Sequence, residues 1–305
     1  MIRLFDSHCH LQDSRVLNVA PKLIKEALDT GVVHFAVNGV SEKDWHLVKE
    51  MSNEHPSVVP NFGLHPWFIS DRTPHWLKNL KGFLASPPSA AVGEIGLDKG
   101  STGKKIDFTD QVEVFRQQLQ LAKELNKPAS IHCVRAFGDL LEILKHEGPF
   151  PSGLVLHSFL GSAEMVPELS KLGAYFSFSG FLMSMKESKA KKMLKSVPHE
   201  RILLETDASD GLPSSVDQDS LFKIKTEVSD SEERSGDVNK PSLDEEAKGK
   251  TSSMHENSIN HPANIHHILA YVAKLLEMEE KEVAELSYGN AVRLFSYNGS
   301  KLLKG

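Results

Sequence analysis

Apolar residues along this chain fall into two kinds of block, and the two kinds alternate. Short runs of mostly apolar residues occupy 2–5, 32–37, 58–62, 90–95, 129–132, 154–157, 174–178 and 201–206. Continuous apolar runs of this length, bounded by turn residues, read as strands buried on both faces. Between them lie stretches with helical spacing at 21–30, 43–53, 76–84, 110–126, 137–147, 162–172 and 187–197. Phe115, Leu119, Ala122 and Leu125, for example, line one side of 110–126. Gly31 and Gly173 stop two of these helices, and Pro128 stops a third. Pro60 sits inside the third apolar run, which argues against a fully paired strand there.

Eight strand–helix alternations with mostly apolar strands predict an α/β fold, a single-domain (β/α)₈ TIM barrel, in preference to a doubly wound sheet. No glycine-rich nucleotide fingerprint follows the first strand. The alternation then stops. Residues 214–258 are rich in Ser, Asp, Glu and Lys, with almost no aromatic residue and no sustained apolar period. Such a stretch cannot bury enough apolar surface to offset its ordering entropy, so a disordered acidic insertion after strand 8 is expected. Helical cover returns with Ile265, Ile268, Leu269, Val272 and Leu276, and again over 283–295. The barrel is therefore assigned to 1–213 and 259–297, with 298–305 as a frayed tail.

Composition adds boundaries rather than a fold. A net charge of −6 over 305 residues argues against a broad basic surface for wrapping nucleic acid. It leaves room for a nucleic-acid substrate held by cations and a few local Lys or Arg side chains. Two cysteines, Cys9 and Cys133, are too few for a disulfide framework and suit a reducing compartment. No leader-like or membrane-length apolar segment is present, so the expectation is a soluble monomer in the cytoplasm, with the nucleus also open to it.

The chemistry lies at the strand ends. Asp6-Ser7-His8-Cys9-His10 closes the first strand, and simple alternation puts Asp6, His8 and His10 on one face. Two imidazoles so spaced can grip one metal ion, with Asp6 orienting a ring from behind. Glu94 lies near the end of strand 4, His132 at strand 5, His157 at strand 6 and Asp207 after strand 8. A lone histidine of this kind is more often hydrogen-bonded in a core, and a lone aspartate more often caps a loop. Six such residues at one end of one barrel are harder to explain without metal, because buried unpaired charge costs several kcal/mol each. Six ligands exceed what one open catalytic Zn²⁺ takes; they suit two divalent ions (Mg, Mn or Zn) sharing a carboxylate, for which Glu94 is the natural bridge.

With those residues in view, the chain resembles the TatD-type metal-dependent deoxyribonucleases. The resemblance rests on Asp6-Ser7-His8-Cys9-His10-Leu11, Gly63-Leu64-His65-Pro66, Val92-Gly93-Glu94-Ile95-Gly96-Leu97-Asp98, Ile131-His132-Cys133-Val134-Arg135-Ala136 and Glu205-Thr206-Asp207-Ala208. It implies a barrel hydrolase cleaving DNA phosphodiesters, commonly a 3′-to-5′ exonuclease using two divalent ions. On that pattern His8, His10, Glu94 and Asp207 hold one ion, and Glu94, His132 and His157 the other. Asp207 also accepts the proton of the attacking water, while His65 and Arg135 steady a phosphate of the DNA substrate.

The family often carries Asn-Glu-Pro after the last strand; here Asn260-His261-Pro262 follows the insertion instead. Ile224-Lys225-Thr226-Glu227, within the insertion, fits the pattern of sumoylation sites, a tetrapeptide frequent by chance. The competing function is a barrel amidohydrolase acting on C–N or ester bonds. Many of those bridge their metals with a modified lysine at strand 4, where this chain has Glu94. A third reading, a non-catalytic metal-binding partner protein, has no need of the full ligand set.

Overall fold

The computed structural model describes residues 2–86, 89–214, 216–217, 219–224 and 259–303. The apolar runs form eight strands: β1 (Leu4–Cys9), β2 (Val32–Gly39), β3 (Val58–Phe62), β4 (Ala91–Asp98), β5 (Ala129–Val134), β6 (Leu154–Leu156), β7 (Ala174–Phe178) and β8 (Ile202–Leu204). They pair in parallel in sequence order from β1 to β8. Beyond the end of β8, the Asp207 N–H donates to the His8 carbonyl (3.0 Å) and the His10 N–H to the Ala208 carbonyl (2.5 Å). The sheet thus becomes a nearly closed barrel. Around it lie α1 (Ala20–Asp29), α2 (Trp45–Glu54), α3 (Trp76–Ala85), α4 (Phe108–Glu124), α5 (Phe137–Glu147), α6 (Val166–Lys171), α7 (Glu187–Leu194), α8 (Ile265–Leu276) and α9 (Glu280–Phe295). Pro60 is accommodated because β4 pairs with β3 only at Asn61 and Phe62.

The barrel interior is layered. At its lower end Phe5, Ala36, Val59, Val155, Tyr175 and Leu203 pack together. Helix α9 covers that end: Phe295 stacks on Phe5 with ring centroids 5.2 Å apart. One level up the side chains turn polar. Ser7 meets Ser177 across the barrel (2.7 Å), and Asn61 donates to Asn38 (2.9 Å). The top is the histidine–carboxylate layer.

Register irregularities in β1 and β4 break the alternation assumed from sequence. In β1, Leu4 and Cys9 both face the outer core although one is at an even and the other at an odd position. The pairing register shifts between Asp6 and Cys9. A bulge there lets Ser7 and His8 both point inward, and it leaves Asp6 off the face of the two histidines. A second shift lies between Val92 and Ile95, at Glu94.

The chain's last third corrects two sequence expectations. The disordered insertion was expected from 214, but Leu221 is buried, and the Phe222 backbone N–H donates to Asn264 Oδ1 (2.9 Å). Adjacent apolar residues give this stretch an anchor that its polar composition hides. The rest of the insertion, with the Lys225 motif, lies outside the described residues. The tail over 298–303 is docked rather than frayed: the Ser89 N–H donates to the Gly299 carbonyl (3.0 Å), and the Lys301 ammonium donates to the Ser52 and His55 carbonyls.

Candidate metal centre

Glu94 is the hub of the upper layer. Its Oε2 faces His10 Nε2 (3.2 Å) and His8 Nε2 (3.5 Å). Its Oε1 faces His157 Nε2 (2.8 Å), His132 Nδ1 (3.0 Å) and His65 Nε2 (3.5 Å). Asp207 Oδ1 joins the first group, 3.6 Å from His10 Nε2 and 3.8 Å from His8 Nε2. One carboxylate therefore stands between two adjoining groups of ligand atoms, one built by β1 and the β8 end, the other by β5 and the β6 end, and His8 stacks on His157 where they meet, with ring centroids 4.0 Å apart.

Three imidazoles, His8, His10 and His132, are hydrogen-bonded from behind through the other nitrogen, and a fourth, His157, turns that nitrogen toward a carboxylate without a hydrogen bond. His8 Nδ1 meets Ser130 Oγ (2.8 Å), and His10 Nδ1 meets the Asn38 carbonyl (3.0 Å). His132 Nε2 lies 3.3 Å from Asp98 Oδ2, and His157 Nδ1 lies 3.5 Å from Glu205 Oε1. For His10 the carbonyl acceptor keeps a proton on Nδ1, so Nε2 is the nitrogen that gives up its proton when the ring becomes neutral and that then offers a lone pair inward. Glu205 is held in turn by the Ser158 N–H (2.6 Å) and hydroxyl (2.8 Å). Asp98 accepts from Trp67 Nε1 (2.5 Å) and the Gly100 N–H (2.5 Å).

Burial and charge set the protonation states. Burial drives His8 down to about 4 and His65 well below the usual imidazole value. Burial pushes His10 the same way, but the Glu94 and Asp207 carboxylates override it and raise the ring to about 9. Burial likewise opposes charge on His132 and His157, yet Asp98 and Glu94 raise the first, and Glu94 and Glu205 the second. Glu94 stays well below the carboxylate range despite burial, because the surrounding imidazoles favour its anion. Burial lifts Asp207 to about 7. Arg135, Ser158 and Asp207, each just past the end of a strand, have left-handed φ values of 54°, 43° and 54°. Non-glycine residues at such angles carry backbone strain that clusters at functional sites.

The donor set fits divalent cations. His8 Nε2 and His10 Nε2 lie 3.1 Å apart, and His132 Nδ1 and His157 Nε2 lie 3.2 Å apart. Glu205 Oε2 and His157 Nδ1 are buried without a hydrogen-bond partner. Three groups have ligand atoms all within 4.8 Å of one another: His8 with His10 and Asp207, His8 with His157 and Glu205, and His65 with Glu94 and His132. Cations meet such a set where protons alone do not.

All six residues expected as ligands thus converge. His65 is buried, with its Nε2 3.5 Å from Glu94 Oε1, beside the six. Arg135 is exposed at the rim and makes no ion pair among the described residues. Asp6 does not orient an imidazole. Its carboxylate accepts from the Thr206 N–H (2.9 Å), the Thr206 hydroxyl (2.5 Å) and, weakly, the His8 N–H (3.4 Å), so it ties β1 to β8. Sequence reasoning missed Asp98, Glu205, Ser130, Asn38 and Trp67. Asp98 and Glu205 carried a signal, since each has the parity of an assigned neighbour, Glu94 or Asp207.

The family described as TatD related DNase matches residues 5–296. The chain belongs to the TatD family. It is 30% identical over 295 residues to the uncharacterized metal-dependent hydrolase YabD of Bacillus subtilis (strain 168), covering 97% of this chain and 100% of YabD. It is 28% identical over 212 residues to the 3′-5′ ssDNA/RNA exonuclease TatD of Erwinia tasmaniensis, covering 69% of this chain and 81% of that protein. The crystal structure of the TatD homolog YJJV from Escherichia coli K12 superposes with a TM-score of 0.77 at 22% identity, covering 97% of this chain and 99% of that one, and shows the same fold. Membership makes this TatD protein a metal-dependent hydrolase acting on ester bonds, of the nuclease class. Among the described residues no helix is long and apolar enough to cross a membrane.

Proposed function

We propose that this TatD protein is a two-metal nuclease that shortens single-stranded DNA from its 3′ end. One observation carries the reading: the two oxygens of Glu94 face two different histidine pairs, His8 with His10 and His132 with His157. A shared carboxylate between two adjoining ligand groups is what two closely spaced ions require. The name of the Erwinia tasmaniensis relative supports the 3′ polarity and single-stranded substrate, and it adds RNA as a second arm of the test.

Divalent ions bound there would lower the pKa of water and stabilise charge on phosphoryl oxygens. The chain's own groups do the rest. His8, His10 and Asp207 would hold one ion and His132 and His157 the other, with Glu94 offering an oxygen toward each. Asp207 takes the proton from the attacking water. Arg135, at the rim, makes a bidentate contact to a phosphate, and His65, next to Glu94 Oε1, donates to a phosphate oxygen. The protein acts as a monomer on cytoplasmic or nuclear ends.

The test uses purified protein with short 5′-labelled single-stranded DNA or RNA and Mn²⁺, Mg²⁺ or Zn²⁺. A ladder of products shortened from the 3′ end is expected, abolished by EDTA and by Glu94→Ala or Asp207→Ala. Metal analysis should give two ions per chain in the wild type. Activity that survives EDTA, or that both variants retain, refutes the reading.

A further inference from the structure

The mouth of the barrel is electrostatically lopsided. On the β1–β8 side, Arg15 is shared by two carboxylates, with Nη2 2.8 Å from both Asp13 and Asp210. A phosphate approaching there meets no free cation on Arg15. On the β4–β5 side the balance reverses. A cavity of about 490 Å³ opens just beyond Asp98, lined by Lys99, Lys104, Lys105, Asp107 and Phe108 among others. Lys99 is taken, since it pairs with Asp139 (2.7 Å) above the Phe108 ring. Asp107 is taken too, as it caps α4 by accepting from the Thr109 and Asp110 N–H groups. Lys104 and Lys105 are exposed and make no ion pair among the described residues. Arg135 stands close by, because the Lys99 N–H donates to the Val134 carbonyl just before it. The cavity is open to solvent, and its volume is that of a small-ligand site.

Trp67 touches both Asp98, which lines this cavity, and the histidine layer. Its indole N–H donates to Asp98 Oδ2, the carboxylate that also faces His132, and its ring centroid is 6.0 Å from that of His132. The residue is nevertheless 43% exposed. A tryptophan held rigidly by its one polar atom, with much of it open to solvent, makes a stacking surface for a base.

We propose that Trp67 and the Lys104–Lys105 pair form a track for single-stranded nucleic acid: a base near the cleaved end stacks on Trp67, and the phosphates that follow lie against the two lysines. The track rests on the nuclease reading above and adds which side of the barrel the strand takes. Binding is measured on the metal-loaded protein by fluorescence anisotropy, with a short phosphorothioate oligodeoxynucleotide that resists hydrolysis. Lys104→Gln with Lys105→Gln lowers the slope of log affinity against log salt by about 1.4, the value for two phosphates of a single strand. Trp67→Leu weakens binding about ten-fold, whereas Trp67→Phe, which keeps a ring but loses the N–H, weakens it less. Were Trp67 only a support for Asp98, the two substitutions would act alike. Lys191→Gln with Lys195→Gln, removing the same charge where both lysines pair with Glu277, leaves the salt slope unchanged. A wild type that cleaves the ordinary oligonucleotide, while the track variants bind the phosphorothioate as wild type does, overturns the track alone. A wild type that neither binds nor cleaves overturns the nuclease reading and the track together.

Discussion

Asp98→Asn changes one charge and almost no volume, and the structure dictates its consequence. Asp98 is 2% exposed. Its Oδ1 accepts from the Gly100 N–H (2.5 Å), and its Oδ2 accepts from Trp67 Nε1 (2.5 Å) while facing His132 Nε2 (3.3 Å). Every neighbour is a donor, whereas the new amide is half donor. If its NH₂ replaces Oδ1, it faces the Gly100 N–H; if it replaces Oδ2, it faces Trp67 and His132. Either way at least one buried donor loses its acceptor, which costs about 1–3 kcal/mol. In the second arrangement His132 can relieve the clash only by moving its proton to Nδ1, the nitrogen that faces Glu94. That nitrogen then has no lone pair for a metal. Loss of such a supporting carboxylate costs about 10–100-fold in metal affinity or activity. On the two-ion proposal, competition with a chelator should therefore show one ion weakened by that factor, and the metal-free protein should melt about 2–5 °C lower. An Asp98→Asn protein that holds both ions as tightly as wild type and melts at the same temperature would refute the reasoning.

Metal uptake should depend on pH in a set direction. His10 near 9, the raised His132 and His157, and Asp207 near 7 all carry protons that an ion must displace at neutral pH, while His8 near 4 is already free. Affinity should rise from pH 6 to 9 with measurable proton release by calorimetry in two buffers, and a flat profile would contradict the assignment. Conversely, the raised histidines stabilise the metal-free fold below their unfolded pKa of about 6.5, and that gain is lost as pH rises through their folded values. Asp6→Asn should keep the full metal content, because Asp6 touches no imidazole and burial lifts its carboxyl to about 8, so it is mostly a neutral acid at pH 7. Loss of bound metal in that variant would restore the orienting role. Lys127→Met should lower stability by about 2–4 kcal/mol in urea titration, since the 7% exposed ammonium donates to the Leu84 (2.9 Å) and Ala90 (2.7 Å) carbonyls and leaves both unsatisfied when removed; a smaller change would mean that water replaces it.

How much of this was legible beforehand follows from the range of the interactions. A strand buried on both faces announces itself by a local apolar run, so all eight strands could be read from residues next to one another. Ligands at the strand ends were legible for the same reason, and a barrel turns all eight ends toward one face. The rings' supports were not. Ser130 meets His8 from 122 positions away in the sequence, and Glu205 reaches Ser158 across 47. No periodicity carries such a pairing.

The face of Asp6 was misjudged because alternation holds only while the register holds, and the bulge between Asp6 and Cys9 changes it. The docked tail was hidden because its anchors, the Ser52 and His55 carbonyls, belong to a distant helix and the turn after it. The chain by itself therefore determined the barrel, the family and the six residues that gather at its mouth, because each is encoded in short-range pattern and motif. Only the tertiary structure decided that Glu94 turns one oxygen to each histidine pair, that His65 belongs with them and Asp6 does not, and that Lys104 and Lys105 stand exposed beside a cavity next to Asp98. Those outcomes depend on where bulges and strand closure bring side chains that are far apart in sequence.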